Sequence, residues 1–238
     1  MKRAERHHLK QNELQRLAMT ARQIYVDRKR EATGLLVGVV AVAAIAGGYF
    51  LWSERRQSRA HALLAEALVV QDARVSPPGT PAAGSTYPTE RARMQTAAAK
   101  FKAVADAYPS TDAGIYARYQ EAVNQLALGN VAAATAAYQE IIRREGDSLY
   151  GQMARLGLAE VQALAGQYDQ AINTFKEMAQ RKDGPLPIDG ILMQLGRTYR
   201  EAGKPADAQQ TFNRIVLEFP ESPFNQEAKR ELDSLNKS

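Results

Sequence analysis

The chain of 238 residues contains no cysteine, which excludes disulfides, thiolate zinc sites and cysteine nucleophiles. Histidine is scarce, and its three positions are His7, His8 and His61. The region after residue 61 therefore has no histidine for a Ser–His or His–metal mechanism. The sequence also has no GxxxxGK[ST] loop that could hold a phosphate. We predict that the protein is not an enzyme and uses no cofactor or metal ion.

Aromatic residues are also few, at 7% of the chain, and alanine and leucine supply much of the apolar content. Alanine and leucine favour helices, whereas strands favour aromatic and β-branched residues. The composition therefore predicts an all-α fold.

The net charge of +5 is concentrated at the N-terminus. Residues 1–33 contain nine Lys or Arg and four acidic residues, and the remainder carries equal numbers of both signs. A body of balanced charge gives no electrostatic reason to expect a nucleic acid partner. Apolar residues recur at helical spacing in this basic tail, which predicts an amphipathic helix near a lipid surface. They are Leu9, Leu14, Leu17, Ala21 and Ile24.

A run of nineteen residues, 34–52, has no charged side chain. As a helix it measures roughly 28 Å, close to the hydrocarbon thickness of a bilayer. The run predicts a transmembrane helix, because no other segment is apolar enough to bury it as a core helix. A signal peptide cut near residues 44–46 is the alternative, although the long leading region and the bulky residues that close the run argue against it.

The Lys and Arg residues before this run outnumber those just after it, which favours a cytoplasmic N-terminus. In a bacterial cell the protein would be a single-pass inner-membrane protein, with residues 53–238 in the periplasm. Small residues four apart allow close helix contact in lipid. We therefore predict a helix-packing face at Gly34, Gly38, Ala44 and Gly48.

The region after residue 90 repeats with a period of 37 residues. An aromatic residue recurs at this step, with alanine four positions before it and an aliphatic residue or methionine three positions after it. Glycine precedes the last three aromatics by nine positions. Such columns indicate an internal repeat. The aromatic column is Phe101, Tyr138, Phe175 and Phe212, and the glycines are Gly129, Gly166 and Gly203.

Positions three and four apart share one helical face, so the alanine, the aromatic and the aliphatic residue lie together. The glycine falls where one helix ends and the chain turns, and Pro109 and Pro220 follow the second helix and stop it. Each unit is thus a helical hairpin that must stack on its neighbours to bury its apolar face.

The pattern resembles the tetratricopeptide repeat, with Leu195-Gly196, Tyr199, Ala208 and Phe212 at the positions of its motif. The resemblance implies an α-solenoid of tetratricopeptide-like hairpins over residues 91–238, with residues 224–235 as a polar capping helix. Before the repeats, residues 53–90 contain a predicted helix (55–73) and a Pro/Gly-rich loop (76–90), which we expect to be mobile.

The resemblance also implies a groove lined by the first helix of each hairpin, in which protein or peptide segments bind. The groove would be aromatic and apolar at one end and cationic at the other, where Arg197 and Arg200 could bind a carboxylate. Alternatively, Tyr116 and Tyr119 pack against the preceding unit or the loop. The predicted groove residues are Tyr116, Tyr119, Val123, Leu126, Met153, Leu156, Glu160, Met193, Arg197 and Arg200.

The order of tail, span and repeats resembles the YfgM-like family of ancillary SecYEG translocon subunits. Segments 52–68 and 101–122 support this resemblance best. It implies a scaffold that links protein export to periplasmic chaperones or client chains. The alternative is a coordinator of cell-envelope assembly or division that binds peptidoglycan synthases, a Tol-Pal-type machine or outer-membrane assembly proteins.

Overall fold

The computed structural model describes residues 19, 29–76, 86–181 and 183–237. The chain divides into two units, Met1–Arg55 and Arg56–Ser238. Most of the basic tail (1–33), including its predicted amphipathic helix, lies outside the described residues, as does the centre of the predicted loop, residues 77–85.

The first helix, α1, comprises Lys29–Gln71. In the first unit its apolar side chains, from Leu35 to Trp52, are exposed. Thr33–Gln71 is long and apolar enough to cross a membrane or to act as a signal sequence, and it is the one such helix among the described residues. Towards the end of the apolar stretch the rings of Tyr49 and Trp52 lie 6.0 Å apart.

The second unit is a series of helices that pair with their neighbours along the chain. Residues 56–71 of α1 and α2 form the first hairpin, followed by the hairpins α3–α4, α5–α6 and α7–α8, and α9 packs on α8. The bounds are α2 Glu90–Ala107, α3 Asp112–Ala127, α4 Val131–Glu145, α5 Leu149–Leu164, α6 Tyr168–Gln180, α7 Ile188–Glu201, α8 Pro205–Glu218 and α9 Asn225–Leu235.

The described residues also contain two short strands, which the all-α prediction missed. β1 (Arg74–Val75) pairs in parallel with β2 (Thr86–Tyr87). Thus the two ends of the region predicted as a loop, 76–90, are joined, because Ser76 N–H donates to the Tyr87 carbonyl at 3.0 Å. Two-residue strands are too short to show the alternation of apolar and polar residues by which a strand is recognised.

The repeat columns form the core, which confirms the predicted helical hairpins. The aromatics Phe101, Tyr138, Phe175 and Phe212 are at most 2% exposed. The alanines four positions earlier are buried as well. The glycines of the third column have positive φ angles, 81° at Gly129, 75° at Gly166 and 70° at Gly203, so a residue with a side chain would be strained at these turns.

Three core clusters follow one another along the second unit, each built by helices that are consecutive in the chain. The first joins α1, α2 and α3, the second joins α3, α4 and α5, and the third extends from α5 to α9. Each hairpin therefore buries its apolar surface against its sequence neighbours, as expected of a repeat protein.

A cluster of ion pairs fixes α3 between α2 and α4. Arg118 on α3 contacts Glu121 at 2.6 Å, Glu140 on α4 at 3.2 Å and also Asp106 on α2. The side chains of Arg118 and Glu121 are only 11% and 7% exposed. A buried pair of this kind is costly to break, because the remaining charge has no water to solvate it.

Candidate functional site

The candidate site is the surface formed by α3, α5 and α7, the first helices of three hairpins. We call it the first-helix face. α3 contacts α5 and α5 contacts α7, so the three helices lie side by side. Two of them begin at similar turns. The hydroxyls of Thr111 and Ser148 accept hydrogen bonds from the N–H groups of Gly114 and Gly151, and such N-caps fix where each helix starts.

These caps were not part of the sequence prediction, although they repeat at the same 37-residue step. A Cβ atom at Gly114 would lie 1.8 Å from the Tyr108 carbonyl oxygen, and one at Gly151 would lie 2.1 Å from that of Gly146. Glycine is therefore required for the chain to turn tightly into α3 and α5. The periodic Thr/Ser and glycine columns were the signal that could have revealed them.

The two tyrosines predicted for the groove lie on α3 and are partly buried. Tyr116 packs against the first core cluster, and its ring meets Tyr150 of α5 edge-on at 6.4 Å. Tyr119 meets the buried Tyr138 edge-on at 5.9 Å. Tyr116 therefore packs against the preceding unit, as in the alternative interpretation, whereas Tyr119 packs within its own hairpin. Both side chains remain partly exposed to a partner.

Four further predicted groove residues are apolar. Val123 is exposed on α3, and Leu126, Met153 and Leu156 are partly exposed. Leu126 and Leu156 also pack at the edges of core clusters. Aliphatic side chains on adjacent helices thus continue the aromatic part of the first-helix face from α3 onto α5.

The predicted cationic end differs from expectation. Met193 of α7 is buried in the third core cluster. Arg197 and Arg200 are already paired, with Glu227 and Glu231 of α9 respectively. The capping helix therefore supplies the carboxylates that a partner was expected to bring.

A cavity of about 300 Å³ lies in the first-helix face, between α3, α5, α6 and α7. Three predicted groove residues line it, Leu126, Glu160 and Arg197. Phe175 of the repeat column reaches its floor. The other lining residues were not predicted from the sequence. Two of them follow Glu160 on α5, and three lie around Arg197 on α7. They are Ala163, Leu164, Gln194, Thr198 and Glu201.

Glu160 is the partly buried carboxylate of this cavity. It makes no hydrogen bond or ion pair with any residue that the structure describes, although Arg197 attracts it electrostatically. Burial raises the pKa of Glu160, and Arg197 opposes this rise. Burial also raises the pKa of Tyr119, with Glu160 as a second cause. The Glu160 carboxylate therefore interacts electrostatically with both Arg197 and Tyr119.

Two other cavities, of about 380 and 530 Å³, lie away from this face, next to α6 and the turn after α4. Arg155 and Arg181, which line these cavities, both pair with Asp147. Arg181 contacts Asp147 at 2.9 Å and Arg155 contacts it at 3.4 Å. The pKa of Asp147 is lowered by the hydrogen bond from Arg181. This arrangement ties α5 to the end of α6.

The small residues predicted to pack in the membrane lie on α1 in the first unit. Gly34, Gly38, Ala44 and Gly48 are exposed. A Cβ atom built on any of the three glycines would meet no atom within 4 Å. Contact with another helix at this face stays a prediction.

The hairpins stack on one another, turn at glycines with positive φ and pack buried alanines against aromatic rings. They form a solenoid with a shared first-helix face, a fold that serves as a protein-interaction scaffold. The chain belongs to the family described as the tetratricopeptide repeat-like domain, whose model matches residues 29–237.

A solved structure has a similar fold. The tetratricopeptide-like repeats of a kinesin light chain protein from Podospora anserina are similar, with a TM-score of 0.58 and 14% identity over 76% of this chain and 87% of that chain. A thermophilic tetratricopeptide protein from Thermus thermophilus has a TM-score of 0.36 and 18% identity, over 61% of this chain and 92% of its own. No match is found among curated proteins.

Proposed function

We propose that this protein is a membrane-anchored, non-catalytic scaffold that binds protein segments on its first-helix face. One observation carries the proposal: α3 and α5 present Val123, Leu126 and Met153 with exposed apolar surface in a family of protein-binding repeats. The apolar part of α1 supports the anchor, because a helix with its apolar side chains exposed is stable in lipid. The scarcity of histidine supports the absence of catalysis.

The proposed location is the bacterial inner membrane, with one span, a cytoplasmic N-terminus and a periplasmic second unit. The excess of Lys and Arg before the span supports this orientation. Alkaline phosphatase and a green fluorescent protein, each fused after Ser238, test it. The first is active only in the periplasm, whereas the second fluoresces in the cytoplasm and not after export through the Sec system. Phosphatase activity without fluorescence is expected, and the reverse result would overturn the orientation.

The proposed role is ancillary to the translocon, where the scaffold would link emerging chains to periplasmic chaperones. The resemblance of tail, span and repeats to ancillary SecYEG subunits supports this assignment, which goes beyond the family. A photo-crosslinking amino acid at Val123 or Met153, introduced into the full chain in cells, would capture what binds the first-helix face. Leu217 on the second helix α8 is the matched control, since it is 78% exposed and lies outside that face.

We expect adducts with translocon subunits, chaperones or exported chains from Val123 and Met153, and none of these from Leu217. Adducts with peptidoglycan synthases, Tol-Pal components or outer-membrane assembly proteins would instead support the envelope-coordinator alternative. Equal adducts from all three positions, or none from the first-helix face, would contradict the scaffold proposal.

A further inference from the structure

The cavity around Glu160 is large enough to hold one long side chain. Its volume is about 300 Å³, at the lower limit of pockets that hold small ligands. Glu160 and Leu164 come from α5, Leu126 from α3, and Glu201 from α7. The cavity therefore combines two carboxylates with two leucine side chains, and Leu164 is largely exposed at its rim.

The charge around this cavity is negative. Arg197 is the one cation that the described residues contribute to the lining, and its guanidinium donates to Glu227 of α9. One guanidinium thus stands among three carboxylates, those of Glu160, Glu201 and Glu227. An acidic guest would be repelled here. A cationic guest would be attracted, and it would give Glu160 the hydrogen-bond donor that the described residues do not provide.

We propose that this cavity binds the lysine or arginine side chain of a partner protein segment, with the charged end on Glu160 and the aliphatic stem against Leu126 and Leu164. Long basic side chains bury their methylene groups on apolar surface while the charge meets a polar partner. The inference rests on the proposed function, since it names the chemistry of a segment that the scaffold holds. It also reverses the carboxylate-binding role expected from Arg197 and Arg200.

The test uses the full chain in lipid nanodiscs and a phage library that displays random dodecapeptides. Selection on the unchanged protein should enrich peptides with Lys or Arg beside Leu, Ile or Val. Peptides selected on Glu160→Gln should no longer be enriched in Lys or Arg, whereas their enrichment in Leu, Ile or Val should remain. Glutamine keeps the shape and removes the charge, so folding is preserved, which a thermal melt by circular dichroism verifies.

One enriched peptide then serves as a fluorescent probe in anisotropy titrations. Glu160→Gln should weaken its binding about 10-fold or more, the effect of losing one charge-assisted hydrogen bond. Replacing the peptide's basic residue by norleucine should cause the same loss in the unchanged protein and none in Glu160→Gln. Glu177→Gln is the matched control, because Glu177 is an exposed carboxylate on α6 outside the first-helix face. The affinity of this variant for the peptide should equal that of the unchanged protein.

Peptides without a basic residue, the same basic preference in Glu160→Gln, or no selected peptide would each overturn this inference. The crosslinking from Val123 and Met153 separates that failure from failure of the scaffold. Specific adducts without a preference for basic peptides would refute the cation site and leave the scaffold proposal intact. If neither the adducts nor the preference is found, the proposed function is refuted as well.

Discussion

Gly196→Ala is expected to destabilise the protein, although alanine is the better helix former. The side chain would point from α7 at the ring of Phe212 on α8, and a Cβ atom there would lie 2.5 Å from Cε1 and 2.8 Å from Cδ1 and Cζ. Carbon atoms in good contact are about 3.5–4.0 Å apart. The ring or the helix must therefore move by roughly 1 Å in a core where Phe212 is fully buried.

The magnitude follows from two opposing effects. Overpacking of a well-filled core costs about 1–3 kcal/mol. Alanine in place of glycine gains about 1 kcal/mol in a helix. Subtracting the gain from the cost, we expect the free energy of unfolding to fall by up to about 2 kcal/mol. For a unit of this size, each kcal/mol corresponds to a decrease in melting temperature of about 2–4 °C.

The assay is urea unfolding of the full chain in mild detergent, followed by far-ultraviolet circular dichroism. Gly190→Ala on the same helix is the control, because its Cβ atom would meet Phe224 at an ordinary 3.4 Å, and it should be neutral or stabilising. Phe212→Leu should reduce the cost of Gly196→Ala, since the clashing ring is gone. Stabilisation by Gly196→Ala, or the same cost in both backgrounds, would refute the predicted contact.

Two predictions concern the ion pairs between α2, α3 and α4. Arg118→Met should lower the unfolding free energy by about 3–5 kcal/mol in urea melts, because it leaves Glu121 buried without its partner. Arg214→Met, which breaks the exposed pair with Glu218, should cost less than about 1 kcal/mol, and equal costs would contradict the reasoning. Hydrogen bonds from Lys102 and Arg118 lower the pKa of Asp106 from its ordinary 3.8. The ionised Asp106 therefore stabilises the fold above pH 3.8, and this stabilisation is lost as the pH falls through the lowered pKa. Asp106→Asn should reduce the loss of stability in acid, and an unchanged pH profile would count against it.

The repeat was predictable from the sequence because every hairpin packs in the same way. Each hairpin needs a small residue, a large ring and a turn glycine at fixed helical offsets, so the same residue types recur at the same step. Tyr138 and Phe175 therefore indicated their own burial without any knowledge of their neighbours. Glycine and proline in the same way indicated where several of the helices end, such as the helices before Gly129 and Pro220.

The charge of the first-helix face was not predictable by the same means. Arg197 and Glu227 are thirty residues apart, and α9 lies after the last repeat, so no periodic column connects them. Whether an arginine is available depends on how the capping helix docks, which is a tertiary property. The cavity lining also needs four helices to meet, and no single helix shows a pattern of residues that indicates a cavity.

The three successive core clusters have a mechanical consequence. Since each is built by helices adjacent in the chain, tension applied to the second unit would detach hairpins in sequence from an end, rather than rupture the whole domain in one event. A tether built this way lengthens in steps under load and recoils when the load is removed.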